Sequence, residues 1–220
     1  MEIIQDSHLI EKYYNNFPLT DFFEFDIYPF TTIVRFENGE SIFQEGNTPA
    51  FLYYLIEGRA KLYLTQGNGR ISLINFLNAP CFIGEMELLE AQSYSNGVTA
   101  VTTCTCYAIR IRDCKSALLN DVKFLRYLCG FLSKKAIGNT YNYSKNQSYP
   151  LENRLADFIL ITAHNNLYTE QHTEAADFLG VTYRHLLYVL ADFVNKGYLS
   201  KTKHGYEITD IDSLRYLIPK

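Results

Sequence analysis

The residues best suited to chemistry lie between Thr182 and Tyr188. The spacing of Leu186, Leu187, Val189, Leu190 and Phe193 predicts a helix from Thr182 to Phe193 with one apolar face. Thr182 is a natural N-cap, since its hydroxyl can accept a backbone N–H of the first turn. Tyr183, Arg184, His185 and Tyr188 are left on the outer face of the first two turns. Planar or cationic groups that carry donors are the kind that read base edges and hold phosphates. Upstream, Thr173 to Leu179 has the pattern of a short helix starting at Thr173, and Gly180 can take the left-handed conformation that a tight turn needs. Downstream, Lys196 to Ile208 reads as two short strands about a turn at His204-Gly205, with Lys201 and Lys203 beside it. Helix, glycine turn, helix and ribbon is the order of a winged helix-turn-helix. The alternative is a plain helical hairpin next to a ribbon in an unrelated domain.

Two further sets could carry chemistry. Gly84-Glu85 is a glycine turn followed by a carboxylate, with Ser95 and Asn96 a little farther on. The cysteines are Cys81, Cys104, Cys106, Cys114 and Cys129. Cys104 and Cys106 are two apart, so on a strand they share a face. An iron–sulfur cluster needs several thiolates converging on one point, so Cys81, Cys104, Cys106 and Cys129 are the candidates for a cluster or a redox disulfide. The plainer reading is small buried apolar side chains or incidental thiols. All five histidines (His8, His164, His172, His185, His204) fall outside residues 31–112, so metal chemistry of the cupin type lacks its histidine ligands there, and an enzyme is not expected.

The elements that must position these residues divide the chain. Residues 1–30 carry two short helical patterns, around Ser7–Asn15 and Leu19–Phe25, broken by Pro18 and closed by Pro29. From 31 to 112, runs such as Thr32–Phe36, Phe51–Ile56, Ala60–Leu64 and Ile71–Leu77 alternate with glycine turns, which predicts a compact antiparallel β domain. From 113 the pattern is helical. A long helix opens at Asp121, with Leu125, Leu128 and Leu132 at seam spacing and Phe124 and Phe131 alongside, which suggests pairing with a second copy; packing on its own domain is the alternative. Beyond Lys135 the seam turns polar at Asn139, Thr140 and Asn142. Gln147–Pro150 reads as a hinge, Leu151–Ala163 as a helix, His164–Tyr168 as a polar loop and Ile211–Leu217 as a closing helix. The expected parts are therefore 1–112, a β domain with N-terminal helices; 113–147, a central helix and hinge; and 148–220, the winged helix.

Composition limits the function classes. Five thiols with no export signal argue for reduced cysteines in the cytoplasm, and no apolar run is long enough to span a membrane. Net charge is −4, and residues 150–220 carry seven Lys/Arg against nine Asp/Glu, so phosphate attraction must come from a local cluster.

The order of parts resembles the Crp/Fnr family of transcription regulators. The resemblance rests on Phe51–Ala60, on Pro80-Cys-Phe-Ile-Gly-Glu85 and on Leu179–Leu190, and within the family it points to the YeiL branch. It implies an α+β chain: a cyclic-nucleotide-binding-type jelly roll, a dimer across the central helix, and a winged helix that reads a palindromic operator in double-stranded DNA. It also implies contact with RNA polymerase, if the protein is an activator, near His164–Tyr168. In family members that bind cyclic AMP, the Gly-Glu pair is followed by Arg-Ser, and the arginine holds the cyclic phosphate. Here the matching stretch is Ser93-Tyr94-Ser95-Asn96, with no Arg or Lys between Glu85 and Arg110, so cyclic AMP is not expected. Gly84, Glu85, Ser95, Asn96, Asn139 and Thr140 remain as walls of any effector pocket, and a purely structural role for Gly84 and for Glu85, as a cap on backbone N–H groups, is the competing reading. A β domain that serves only as scaffold also fits. Cluster-bearing relatives carry most ligands in an N-terminal cysteine-rich segment, which residues 1–80 lack.

Overall fold

The computed structural model describes residues 1–69 and 71–218, and at position 142 the main chain alone. In chain order the elements are β1 (Glu2–Ile3), α1 (Ser7–Asn16), β2 (Thr31–Phe36), β3 (Ser41–Phe43), β4 (Phe51–Glu57), β5 (Arg59–Thr65), β6 (Ile71–Asn78), β7 (Cys81–Ile83), α2 (Glu85–Leu88), β8 (Gly97–Ala100), β9 (Cys104–Arg110), α3 (Ile111–Asn120), α4 (Val122–Ser148), α5 (Leu151–Thr162), β10 (Leu167–Tyr168), α6 (His172–Phe178), α7 (Tyr183–Asn195), β11 (Leu199–Thr202), β12 (Gly205–Ile208) and α8 (Ile211–Leu217). The chain divides into two compact units, Met1–Lys135 and Ala136–Lys220. No described helix is long and apolar enough to cross a membrane.

The first unit is built on two antiparallel sheets, in order β1-β2-β9-β4-β7 and β3-β8-β5-β6. Alternation along the strands decides what each face meets. On β4, Tyr53 and Leu55 point into the space between the sheets, where they pack with Val34, Phe36, Phe43, Ile83 and Val98. Leu52, Tyr54 and Ile56 point the other way, into a second core formed with Tyr13, Leu19, Phe23 and Ile27 of the N-terminal segment, Leu118 of α3, and Phe124 and Leu128 of α4. Because β4 is covered on both faces, its sequence is a continuous apolar run rather than an alternating one.

Asp121 fastens the start of α4. Its Oδ1 accepts the Phe124 N–H at 2.9 Å, and its Oδ2 accepts the Glu24 N–H at 2.7 Å. Phe124 and Leu128 are fully buried in their own unit, with Phe131 half-buried beside them. These three members of the expected pairing seam therefore face their own β domain. Leu125 and Leu132 are only half-buried and Val122 and Cys129 are exposed, so these four form a second stripe on a neighbouring face of the helix.

The second unit holds α5, α6, α7 and α8, the C-terminal part of α4 and a small sheet in strand order β10-β12-β11. Leu155, Ile159, Tyr168, Leu186, Val189, Leu190, Phe193 and Leu214 are fully buried in it. The expected polar loop at His164–Tyr168 is instead a tight turn and a third strand. Asn165 and Asn166 take φ of 50° and 61°, His164 and Leu167 exchange backbone bonds, and Tyr168 pairs with Tyr206.

Candidate nucleic-acid interface and sensor site

The helix-turn-helix is set by its caps. Gln171, not Thr173, holds the N-cap position of α6, without a side-chain cap bond. At the other end Gly180 sits at φ +64°. There the Gly180 N–H donates to the Asp177 carbonyl and the Val181 N–H to the Ala176 carbonyl, the paired bonds of a glycine-terminated helix. Two residues later the Thr182 hydroxyl accepts the His185 N–H at 3.2 Å and opens α7. The first two turns of α7 then expose Tyr183, Arg184, His185 and Tyr188, while Leu186, Val189, Leu190 and Phe193 are fully buried. Leu187, expected in the core, is only half-buried.

The ribbon follows the same logic. Gly197 at φ +78° ends α7, and the Thr209 hydroxyl donates to the Gly197 carbonyl at 2.7 Å. β11 and β12 pair from Leu199↔Ile208 to Thr202↔Gly205, so Lys203 and His204 form the tip. Lys201 and Lys203 are exposed. His172, which the sequence did not single out, lies between the parts. Its ring centroid is 6.3 Å from that of Tyr183 on α7 and 5.8 Å from that of Tyr206 on β12. Burial, with the charge of Lys201 adding, lowers its pKa.

In the first unit Gly84 has φ +99° and begins α2. A Cβ there would stand 3.0 Å from the Phe43 ring and 3.3 Å from the Phe51 carbonyl oxygen, so glycine is required by space as well as by backbone. Glu85 is 2% exposed. Its Oε1 accepts from Lys135 Nζ on α4 at 2.5 Å. The carboxylate is thus an ion-pair partner of the central helix and not a cap on backbone N–H groups. Ser95 is buried, and its hydroxyl is shared between the Gln44 and Asn47 carbonyl oxygens at 3.0 and 2.9 Å, where it braces that turn. Asn96 is half-buried. Asn139 and Thr140 are exposed on the part of α4 that belongs to the second unit, and the Thr140 hydroxyl bonds its own helix at Ala136; the Asn142 side chain lies outside the described residues.

Three of the five cysteines share one core, and the other two lie apart from it. Cys81, Cys104 and Cys106 are buried in the core between the sheets, Cys114 is buried on α3, and Cys129 is exposed on α4. The Cys104 thiol donates to the Arg59 carbonyl at 3.1 Å. Burial, with the charge of Glu85 adding, pushes Cys81 up to about 12, and burial drives Cys106 well above the usual thiol range. Such groups are thiols and not thiolates at neutral pH, which makes them poor metal ligands and poor nucleophiles. Among the described residues no three His, Cys, Asp or Glu side chains are grouped to hold a metal ion, so the alternative of a cluster on Cys81, Cys104, Cys106 and Cys129 gains no support, and Cys129 is exposed on α4, outside the core that holds the other three.

Comparisons with known proteins agree with this arrangement. A family model described as a cyclic nucleotide-binding domain matches residues 33–121. A Crp/Fnr-family chain from Eubacterium rectale superposes with a TM-score of 0.76 at 17% identity, over 92% of this chain and 98% of that one. A CRP-family transcriptional regulator from Thermus thermophilus gives 0.69 at 21% identity, over 84% and 95%. Regulatory protein YeiL of Escherichia coli O157:H7 is 49% identical over 188 residues, 86% of each chain. The chain belongs to the Crp/Fnr family of transcription regulators, on the YeiL branch. As a member of that family it is a DNA-binding regulator. Its relatives are regulators, not enzymes. Two features of this family member were not legible in its sequence. Lys135 is fifty residues from Glu85, and nothing in the spacing joins them. His172 was one polar residue at the start of a helix, and only its ring contacts mark it out.

Proposed function

We propose that α7 is the recognition helix and enters the major groove of a palindromic operator. The observation that carries this is the division of α7: one face fully buried, and Thr182, Tyr183, Arg184, His185 and Tyr188 all exposed over its first two turns. Arg184 is the residue that can take guanine O6 and N7 together. Tyr183 and Tyr188 suit thymine methyl groups or phosphates. His185, Lys201 and Lys203 supply donors toward the backbone, and Thr182 keeps its hydroxyl on the helix. His172 is a positioning residue, since it props Tyr183 against the wing.

Two copies are needed for a palindrome. The stripe Val122, Leu125, Cys129 and Leu132 supports a homodimer through the central helix, because these apolar side chains are left over after Phe124 and Leu128 have packed at home. On this reading residues 1–112 are the sensor with its N-terminal helices, 113–147 the dimerisation helix and hinge, and 148–220 the DNA reader, and the protein works in the cytoplasm. If it activates, polymerase contact falls on the exposed His164–Asn166 turn. Cyclic AMP is a poor fit. A ribose hydroxyl would have to displace Lys135 from Glu85, Ser95 has its hydroxyl engaged, and no cation stands near Asn96 in the sequence to hold a cyclic phosphate. The β domain then either responds to another signal or serves as scaffold.

The test of the reader is Arg184→Ala. We expect a loss of about 1–3 kcal/mol in operator binding, together with relaxed preference at one guanine of each half-site. Unchanged affinity and preference would refute the role.

A further inference from the structure

Apart from the Glu85 region, the first unit carries a groove at the junction of β4, β9 and α3. It has a volume of about 460 Å³ and is lined by Pro49, Ala50, Phe51, Ile111, Arg110, Arg112 and Lys115. Its floor is apolar. Phe51 leans on the core between the sheets and Ile111 on the core beneath the helices, and the Ile111 N–H donates to the Ala50 carbonyl at 3.1 Å, which holds the two sides together. Its rim is cationic. Arg110 Nη1 and Arg112 Nε each donate at 3.1 Å to a different oxygen of Asp113, and Lys115 Nζ donates to Glu90 at 2.6 Å. Three cations thus face two carboxylates, in a chain whose net charge is −4. Each guanidinium has five N–H donors and spends one on Asp113. The rim therefore has one positive charge left over, with planar donors left to present it.

We infer that this groove binds a small organic monocarboxylate with an aromatic or branched apolar body. The body occupies the space over Phe51 and Ile111, and the carboxylate takes the unused edges of Arg110 and Arg112. Planar forks match a carboxylate bidentately, and a monoanion matches the excess charge. The volume is in the range of small-molecule sites. Arg110 ends β9 and Ile111 opens α3, whose Cys114 and Leu118 share a core with Phe124 and Leu128 of α4. A ligand here would press on the helix that leads into α4. The inference does not depend on the reading of α7.

The experiment is titration of the full-length protein with phenylacetate and with 4-methylpentanoate, followed by saturation-transfer NMR and amide chemical shifts, beside phenylacetamide and 4-methylpentanamide. We expect saturable binding of both acids, on the order of 0.1–1 mM because the head stays at the surface, and about tenfold weaker binding of the amides. Arg112 is 82% exposed, so Arg112→Ala keeps the fold; it should weaken the acids about tenfold, and Arg112→Lys should recover part of the loss. Ala50→Phe, which fills the groove without changing charge, should abolish binding. The inference is overturned by lack of saturable binding of both acids, by equal binding of acids and amides, or by unchanged binding in Arg112→Ala. Tighter binding of phenyl phosphate than of phenylacetate would overturn the monocarboxylate assignment.

Discussion

Lys135 governs what Glu85 can do. A carboxylate 2% exposed is stable there because an ammonium group reaches it; without that partner the charge would be stranded. Lys135→Met should therefore lower unfolding free energy by about 3 kcal/mol, read from denaturant midpoints, and Lys135→Arg should restore most of it. The thiols give an independent check on the β domain. In the Leu132→Asp monomer a maleimide should modify Cys129 rapidly and leave Cys81, Cys104, Cys106 and Cys114 unlabelled until denaturant is added. Fast labelling of Cys81, Cys104 or Cys106 would mean that the core between the sheets is open. His172 sets a pH dependence. Its folded pKa lies below the ordinary 6.5, by burial first and then the charge of Lys201. The unfolded chain binds that proton more readily, so this group's contribution to stability is complete above pH 6.5 and declines as pH falls through and below it. Only Tyr183, Tyr206 and Lys201 face it among its described contacts. In urea melts from pH 7 downward, His172→Gln should decline less steeply than the parent; parallel curves would contradict the assignment.

The strand pattern was readable because β2 to β9 are short, rich in β-branched and aromatic residues, and most are separated by glycine turns; each expected strand is present within a few residues. β1 and β10 were not readable, since two residues cannot show an alternation. α4 illustrates a different limit. Periodicity found its apolar positions but could not say which partner each would meet, because a seam against a second copy and a face against the home sheet both use 3–4 spacing. Packing assigns Phe124 and Leu128 to the home core. These two roles separate by substitution. Leu128→Ala should cost about 2–5 kcal/mol of unfolding free energy at any concentration. Leu132→Asp should leave the fold intact and shift the protein to monomer in sedimentation velocity, with operator binding falling alongside. A dimer that survives Leu132→Asp would refute the stripe. The proposed recognition helix was the most legible part of the candidate site, because Thr182, Gly180 and the buried positions of α7 each follow from local rules. The Glu85 region was the least legible, because its ion pair with Lys135 joins residues far apart in sequence.

For the whole molecule, charge is the constraint that shapes function. A chain of net −4 with seven Lys/Arg against nine Asp/Glu in its last seventy-one residues has little general attraction for DNA. On the proposed reading, binding rests on specific contacts from two recognition helices on one dyad, and low salt should strengthen it less than in strongly basic DNA binders. This can be put to a direct test by selecting bound sequences from a random duplex pool with the purified protein, once alone and once with cell extract as a source of effector. The account predicts enrichment of a palindrome whose half-sites are about one helical turn apart, with its guanine preference lost in Arg184→Ala. No enrichment in either selection, or enrichment of a site without twofold symmetry, would contradict a dimeric reader built on α7.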